Sequence, residues 1–141
     1  MSGEIEALAR QLATLLTEEV VEDAYEESMS MLRDSLADEY RDRPGEPVEE
    51  VVESRLREIS PGVRMRLMDL VTSEMPEVIR TEFLEELGAI VRAERAGDLE
   101  TAALIEALSD PLEHHVHEWA GIMADDIVAE QVDRVLEAGA R

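Results

Sequence analysis

Three histidines lie together in Glu113-His114-His115-Val116-His117-Glu118, and the chain has no others. On a helix His114 and His117 stand three positions apart and His114 and Glu118 four apart, so these residues share a face. Asp110, Gly121 and Asp125 extend that face, and Gly121 leaves space beside it. Imidazole and carboxylate at such spacing can hold zinc or iron, which makes His114, His117 and Glu118 the candidate metal ligands. The competing reading is a solvated polar face opposite a stripe containing Trp119. Two familiar metal patterns are absent. There is no His-Glu-x-x-His, because Gly121 stands four after His117. There is no Glu-x-x-His, because Pro111, Leu112 and His114 precede the histidines by three. A ferritin-like di-iron bundle is thus unsupported, and no cofactor is expected.

Carboxylates recur as doublets: Glu18-Glu19, Glu26-Glu27, Glu49-Glu50, Glu85-Glu86 and Asp125-Asp126. A pair of carboxyl groups does acid–base work only when one is held protonated in an apolar pocket. Adjacent helical positions diverge by about 100°, so these doublets read first as solvated faces. A second reading is that rows of carboxylates imitate DNA phosphates and occupy a nucleic-acid-binding protein. Arginine is concentrated in the middle of the chain. Residues 48–75 hold six acids and four Arg, against thirteen and four in 1–47 and sixteen and five in 76–141. Arg55, Arg57, Arg64 and Arg66 form this electrostatic patch. They are suited to phosphate, to the acidic helix of a second subunit, or to intrachain pairing.

Catalysis is not expected. The chain has no cysteine and no lysine, which removes thiol chemistry, the phosphate-loop lysine and Schiff bases. It has no Gly-x-Ser-x-Gly elbow.

The charge is the dominant compositional feature. Thirty-five acids against thirteen arginines give −22 over 141 residues, yet 45% of the chain is apolar, enough to build a core. A GC-rich genome accounts for arginine without lysine, a halophilic host for an acidic, lysine-poor surface, and a partner with a basic surface for the acidity. Direct nucleic-acid binding is disfavoured, because no broad basic face can be assembled. No apolar run reaches the roughly 20 residues of a membrane span. The start, Met1-Ser2-Gly3-Glu4-Ile5-Glu6, is unlike a signal peptide. A cytoplasmic or virion-internal protein is the expectation.

Helices must position all of these groups. Ile5, Leu8, Leu12, Leu15, Leu16, Val20 and Ala24 step by three and four, and Met31, Leu32 and Leu36 continue the stripe. This predicts one helix over about 3–40, some 55 Å long at ~1.5 Å per residue. A break follows over 41–47, where Pro44, Gly45 and Pro47 fall within four residues. From Pro47 the pattern reads as short helices. One carries Val48, Val51, Val52, Leu56 and Ile59, and Ser60-Pro61-Gly62 begins another. Pro76 ends or kinks that one, a further helix runs from there to near Gly97, and Asp98 caps a brief one through Leu108. Asp110-Pro111-Leu112-Glu113 has the form of a capping box and predicts the start of the last helix, to Gly139.

The expectation is an all-α single domain over 1–141, a bundle of about six helices over its length with long first and last members and no sheet. A helix that overhangs its domain suggests a packing partner. The reading is a non-enzymatic interaction module, scaffold or assembly component acting by helix packing as a homodimer or on a protein partner. Its interface is Leu8, Leu12, Leu15 and Leu16 with Ile127, Val135 and Leu136. The alternatives are an acidic DNA mimic and a metal-binding bundle.

Overall fold

A computed structural model describes residues 2–41 and 48–140, with side chains for 3–41 and 48–137. It contains four helices: α1 (Ser2–Tyr40), α2 (Val48–Glu82), α3 (Leu84–Arg95) and α4 (Thr101–Ala140). No strand occurs among the described residues. The expected all-helical class and the long first and last helices are found. The expected count of about six is not: segments read as separate helices are fused in α2 and again in α4. Most of the expected break at 41–47 lies outside the described residues.

The fusions have a common cause. α2 continues through Pro61 and Pro76, and α4 through Pro111. A proline inside a helix removes one hydrogen bond and costs about 3 kcal/mol. In α2 the buried residues Val52, Leu56, Val63, Leu67, Val71, Met75 and Ile79 keep helical register across both prolines. Each such side chain contributes about 1.5–3 kcal/mol when fully buried, so the unbroken stripe outweighs two prolines. Pro61 is exposed, which leaves water to satisfy the freed carbonyl one turn back. α4 repeats the logic, with Leu108, Leu112, Val116, Ala120 and Ala124 buried at steps of four across an exposed Pro111. The predicted capping box at Asp110 is therefore interior helix.

The breaks that do occur are elsewhere. α2 and α3 part at Phe83, whose backbone angles are φ −116° and ψ 30°. Its ring is buried and meets His115 edge-on, at 5.6 Å between centroids. α3 ends in a Schellman motif: Gly97 adopts φ 66°, its N–H donates to Glu94 O, and the Asp98 N–H donates to Ala93 O. Asp98 lies in the turn that leads into α4, its carboxylate accepting from the Glu100 N–H at 3.0 Å. A helix start near Asp98 was expected from the sequence, although the helix that follows runs to residue 140.

α1 and α2 pack antiparallel, as the cross-pairs Arg33–Glu53 and Arg64–Glu22 require. α4 packs on α1, and α3 covers one end of α1. The core is aliphatic, with Val20, Leu32, Leu36, Val63, Leu67, Met75, Ile79, Leu87, Ile90 and Ile127 almost fully buried. Small residues on α1 (Ala9, Ala13, Ala24, Ser28) and on α4 (Ala120, Ala124) are also buried. Among the described residues no helix is long and apolar enough to cross a membrane.

Candidate functional site

The histidine hexapeptide lies inside α4, and the helix distributes its three rings over different surroundings. His115 packs on Phe83. His114 is 85% exposed and lies 3.9 Å from Glu118 on its own helix. His117 turns towards α1 and is 27% exposed. Its Nδ1 stands 3.3 Å from Asp23 Oδ2 and its Nε2 3.7 Å from Glu19 Oε1. The donor atoms of Glu19, Asp23 and His117 all lie within 4.8 Å of one another, the one such group among the described residues. The metal set read from the sequence was His114, His117 and Glu118. In the structure His114 and Glu118 stay together on the exposed side of α4, whereas His117 lies beside Glu19 and Asp23 of α1. The i, i+4 spacing along one helix leaves His114 and Glu118 in solvent, and the seam between two helices brings the other three side chains face to face.

Glu19 and Asp23 are one turn apart on the same side of α1. One turn further, Glu27 leans over Gly121, its carboxylate 3.6 Å from where a Cβ would stand. Glu19 belongs to an acidic doublet noticed in the sequence. No local spacing, however, ties α1 carboxylates to a histidine on the last helix.

Three of the four arginines of the patch form ion pairs within the chain. Arg64 pairs with Glu22 at 2.7 Å, and its guanidinium lies 4.2 Å from the centre of the Tyr25 ring. The hydrogen bond to Glu22 shifts Arg64 further towards its charged form. Arg55 pairs with Glu58 and Arg66 with Glu130. Arg57 is exposed and has no carboxylate within ion-pair distance among the described residues. Elsewhere Arg33, Arg41, Arg80, Arg95, Arg10 and Arg134 are also paired, which leaves Arg92 as the other described arginine outside an ion pair. Arg95 closes α3 onto α1 through Glu4, and that bond holds the Glu4 carboxyl below the usual range.

The expected interface residues separate into two groups. Ile127 and Val135 are buried in this chain's own core, so they are not available to a partner. Leu8, Leu12 and Leu16 are partly buried against the core, and Leu136 is half-buried. Leu15 is 78% exposed. Met65 and Met68 are exposed as well, whereas Met75 is core. Comparison with protein families, curated proteins and solved structures finds no match.

Proposed function

We propose that this chain is a non-enzymatic helical interaction module that acts by helix packing. Leu15 carries the reading. Leu8, Leu12 and Leu15 follow i, i+4, i+7 along one side of α1. Leu8 lines a groove with Val91 and Arg95 of α3, yet Leu15 stays in water. An aliphatic stripe half covered by its own bundle suits completion by another helix, which adds buried apolar area at about 25 cal/mol per Å². With Ile127 and Val135 internal, the proposed contact narrows to Leu8, Leu12 and Leu15.

Charge sets the sign of the test. Two copies at −22 repel, and the repulsion is screened as the Debye length falls from about 10 Å at 0.1 M salt to about 3 Å at 1 M. A homodimer therefore tightens with salt. Sedimentation velocity at micromolar protein should show a dimer favoured by high salt and lost in Leu15→Glu. A monomer at every salt concentration overturns the homodimer.

A second reading, an acidic decoy for a nucleic-acid-binding protein, is favoured by the arginine pairing. Those ion pairs occupy most of the described cations and leave many carboxylates facing solvent without one. This reading requires the opposite salt dependence: a complex with a basic protein that weakens as salt rises and that DNA displaces. A partner retained at molar salt overturns it.

A further inference from the structure

The Glu19–Asp23–His117 group differs from the rest of the acidic surface. Glu22, between the two carboxylates in sequence, is taken by Arg64. Glu19 and Asp23 have no arginine within ion-pair distance among the described residues and instead face an imidazole from another helix. Metal–ligand bonds of about 2.0–2.2 Å place neighbouring donors of a tetrahedral ion about 3.4 Å apart. A single imidazole nitrogen can serve the ion: Asp23 Oδ2 stands 3.3 Å from His117 Nδ1, and one donor atom from each of Glu19, Asp23 and His117 lies within 4.8 Å of the other two, somewhat wider than that spacing. Glu19 and Asp23 are 57% and 58% exposed, which leaves both side chains room to change rotamer towards an ion. His117, half as exposed as either carboxylate, supplies the fixed donor.

We propose that Glu19, Asp23 and His117 bind one divalent transition-metal ion of the zinc class and thereby tie α1 to α4. The donor set decides the class. One neutral imidazole with two carboxylates suits zinc or cobalt(II), whereas calcium and magnesium take all-oxygen sites. Two uncompensated carboxylates match the ion's charge, and the field of a −22 chain raises the local concentration of cations. Three protein donors leave the fourth position to water. The ion acts as a clasp between the first and last helices, and no catalytic step is assigned to it.

The test uses the full chain freed of metal by chelator and titrated with Zn²⁺ by calorimetry, with Co²⁺ as a visible-absorption probe. The expected result is one ion per chain, a tetrahedral Co²⁺ spectrum, and a melting temperature that rises with Zn²⁺. His117→Ala should abolish all three, and Glu19→Gln and Asp23→Asn should each weaken binding by at least tenfold. His114→Ala should change nothing. Because His117 is partly buried, circular dichroism of each variant checks folding, and the two carboxylate variants carry the test if His117→Ala is destabilised. Absence of Zn²⁺ binding in the wild-type chain overturns the site and leaves His117 as an ion-pair bridge. Equal losses in His114→Ala and His117→Ala, or unchanged binding in all four variants, also overturn it, in favour of the α4 surface or of diffuse acidic binding.

Discussion

The Phe83 and His115 rings meet at 88°, and this contact sits at the one helix break among the described residues that no proline or glycine marks. The Phe83 N–H donates to Ile79 O and Phe83 O accepts from the Leu87 N–H, so the hydrogen-bond ladder runs through the break. The buried ring is expected to hold this junction. Phe83→Ala should cost about 3–5 kcal/mol in urea unfolding, as large aromatic truncations do. Phe83→Leu, which keeps most of the volume, should cost much less. Equal and small losses in both would show that the backbone bends here independently of the ring.

Two of the three prolines inside helices give predictions with a definite sign. If Pro61 and Pro111 marked helix starts, replacing them would remove a favourable first-turn residue. As interior residues, they withhold a hydrogen bond. Pro61→Ala and Pro111→Ala should each stabilise the chain by about 1–3 kcal/mol, less than the full proline penalty because the unfolded chain gains freedom. Urea midpoints check this, and a loss of stability in either variant would restore a helix boundary at that point.

Ser28 is fully buried on α1, and its hydroxyl has no hydrogen-bond partner among the described residues. An unsatisfied buried polar group costs about 1–3 kcal/mol. Ser28→Ala removes the hydroxyl and keeps the small volume that the packing accepts. It should raise stability by about 1 kcal/mol. An equal fall would mean that the hydroxyl is bonded in solution.

Glu4 and Arg95 join the two ends of an α1–α3 closure, and the arginine's hydrogen bond lowers the Glu4 pKa in the folded chain. A depressed carboxylate contributes stability above its unfolded value, about 4.3. That contribution is lost as pH falls through the lower folded value. The side-chain carboxyl carbon of Glu4 should therefore titrate below ordinary glutamates by NMR, and Arg95→Ala should return it to the ordinary range. An unshifted midpoint in the wild-type chain would mean that the bond does not persist in solution.

The sequence by itself determined the helical class, the extent of α1 and the turn at Asp98, because each rests on local rules. Ile5 to Leu36 repeats at helical spacing over nearly 40 residues, and a chain that lacks any competing period has one way to hide such a stripe. Asp98 follows a glycine and precedes an apolar run. Local rules also misplaced the internal boundaries. Pro61, Pro76 and Pro111 are strong breakers judged over a few residues, yet each sits in a stripe whose burial is summed over a whole helix. That sum exists only once α1 is in place to cover it. Phe83 shows the converse: a helix break at a buried ring, with no proline or glycine to announce it.

The candidate site was half legible for the same reason. His117 could be singled out by its neighbours, since the hexapeptide concentrates every histidine in the chain. Glu19 and Asp23 could not, being two carboxylates among thirty-five acids. Which acids share a seam with His117 depends on the rotation of α4 against α1, and that rotation is set by buried residues such as Ala24, Val116, Ala120 and Ala124. The arginines follow the same rule. Their clustering between residues 55 and 66 was visible, but only the antiparallel register of α1 and α2 decides that Arg64 meets Glu22 and Tyr25.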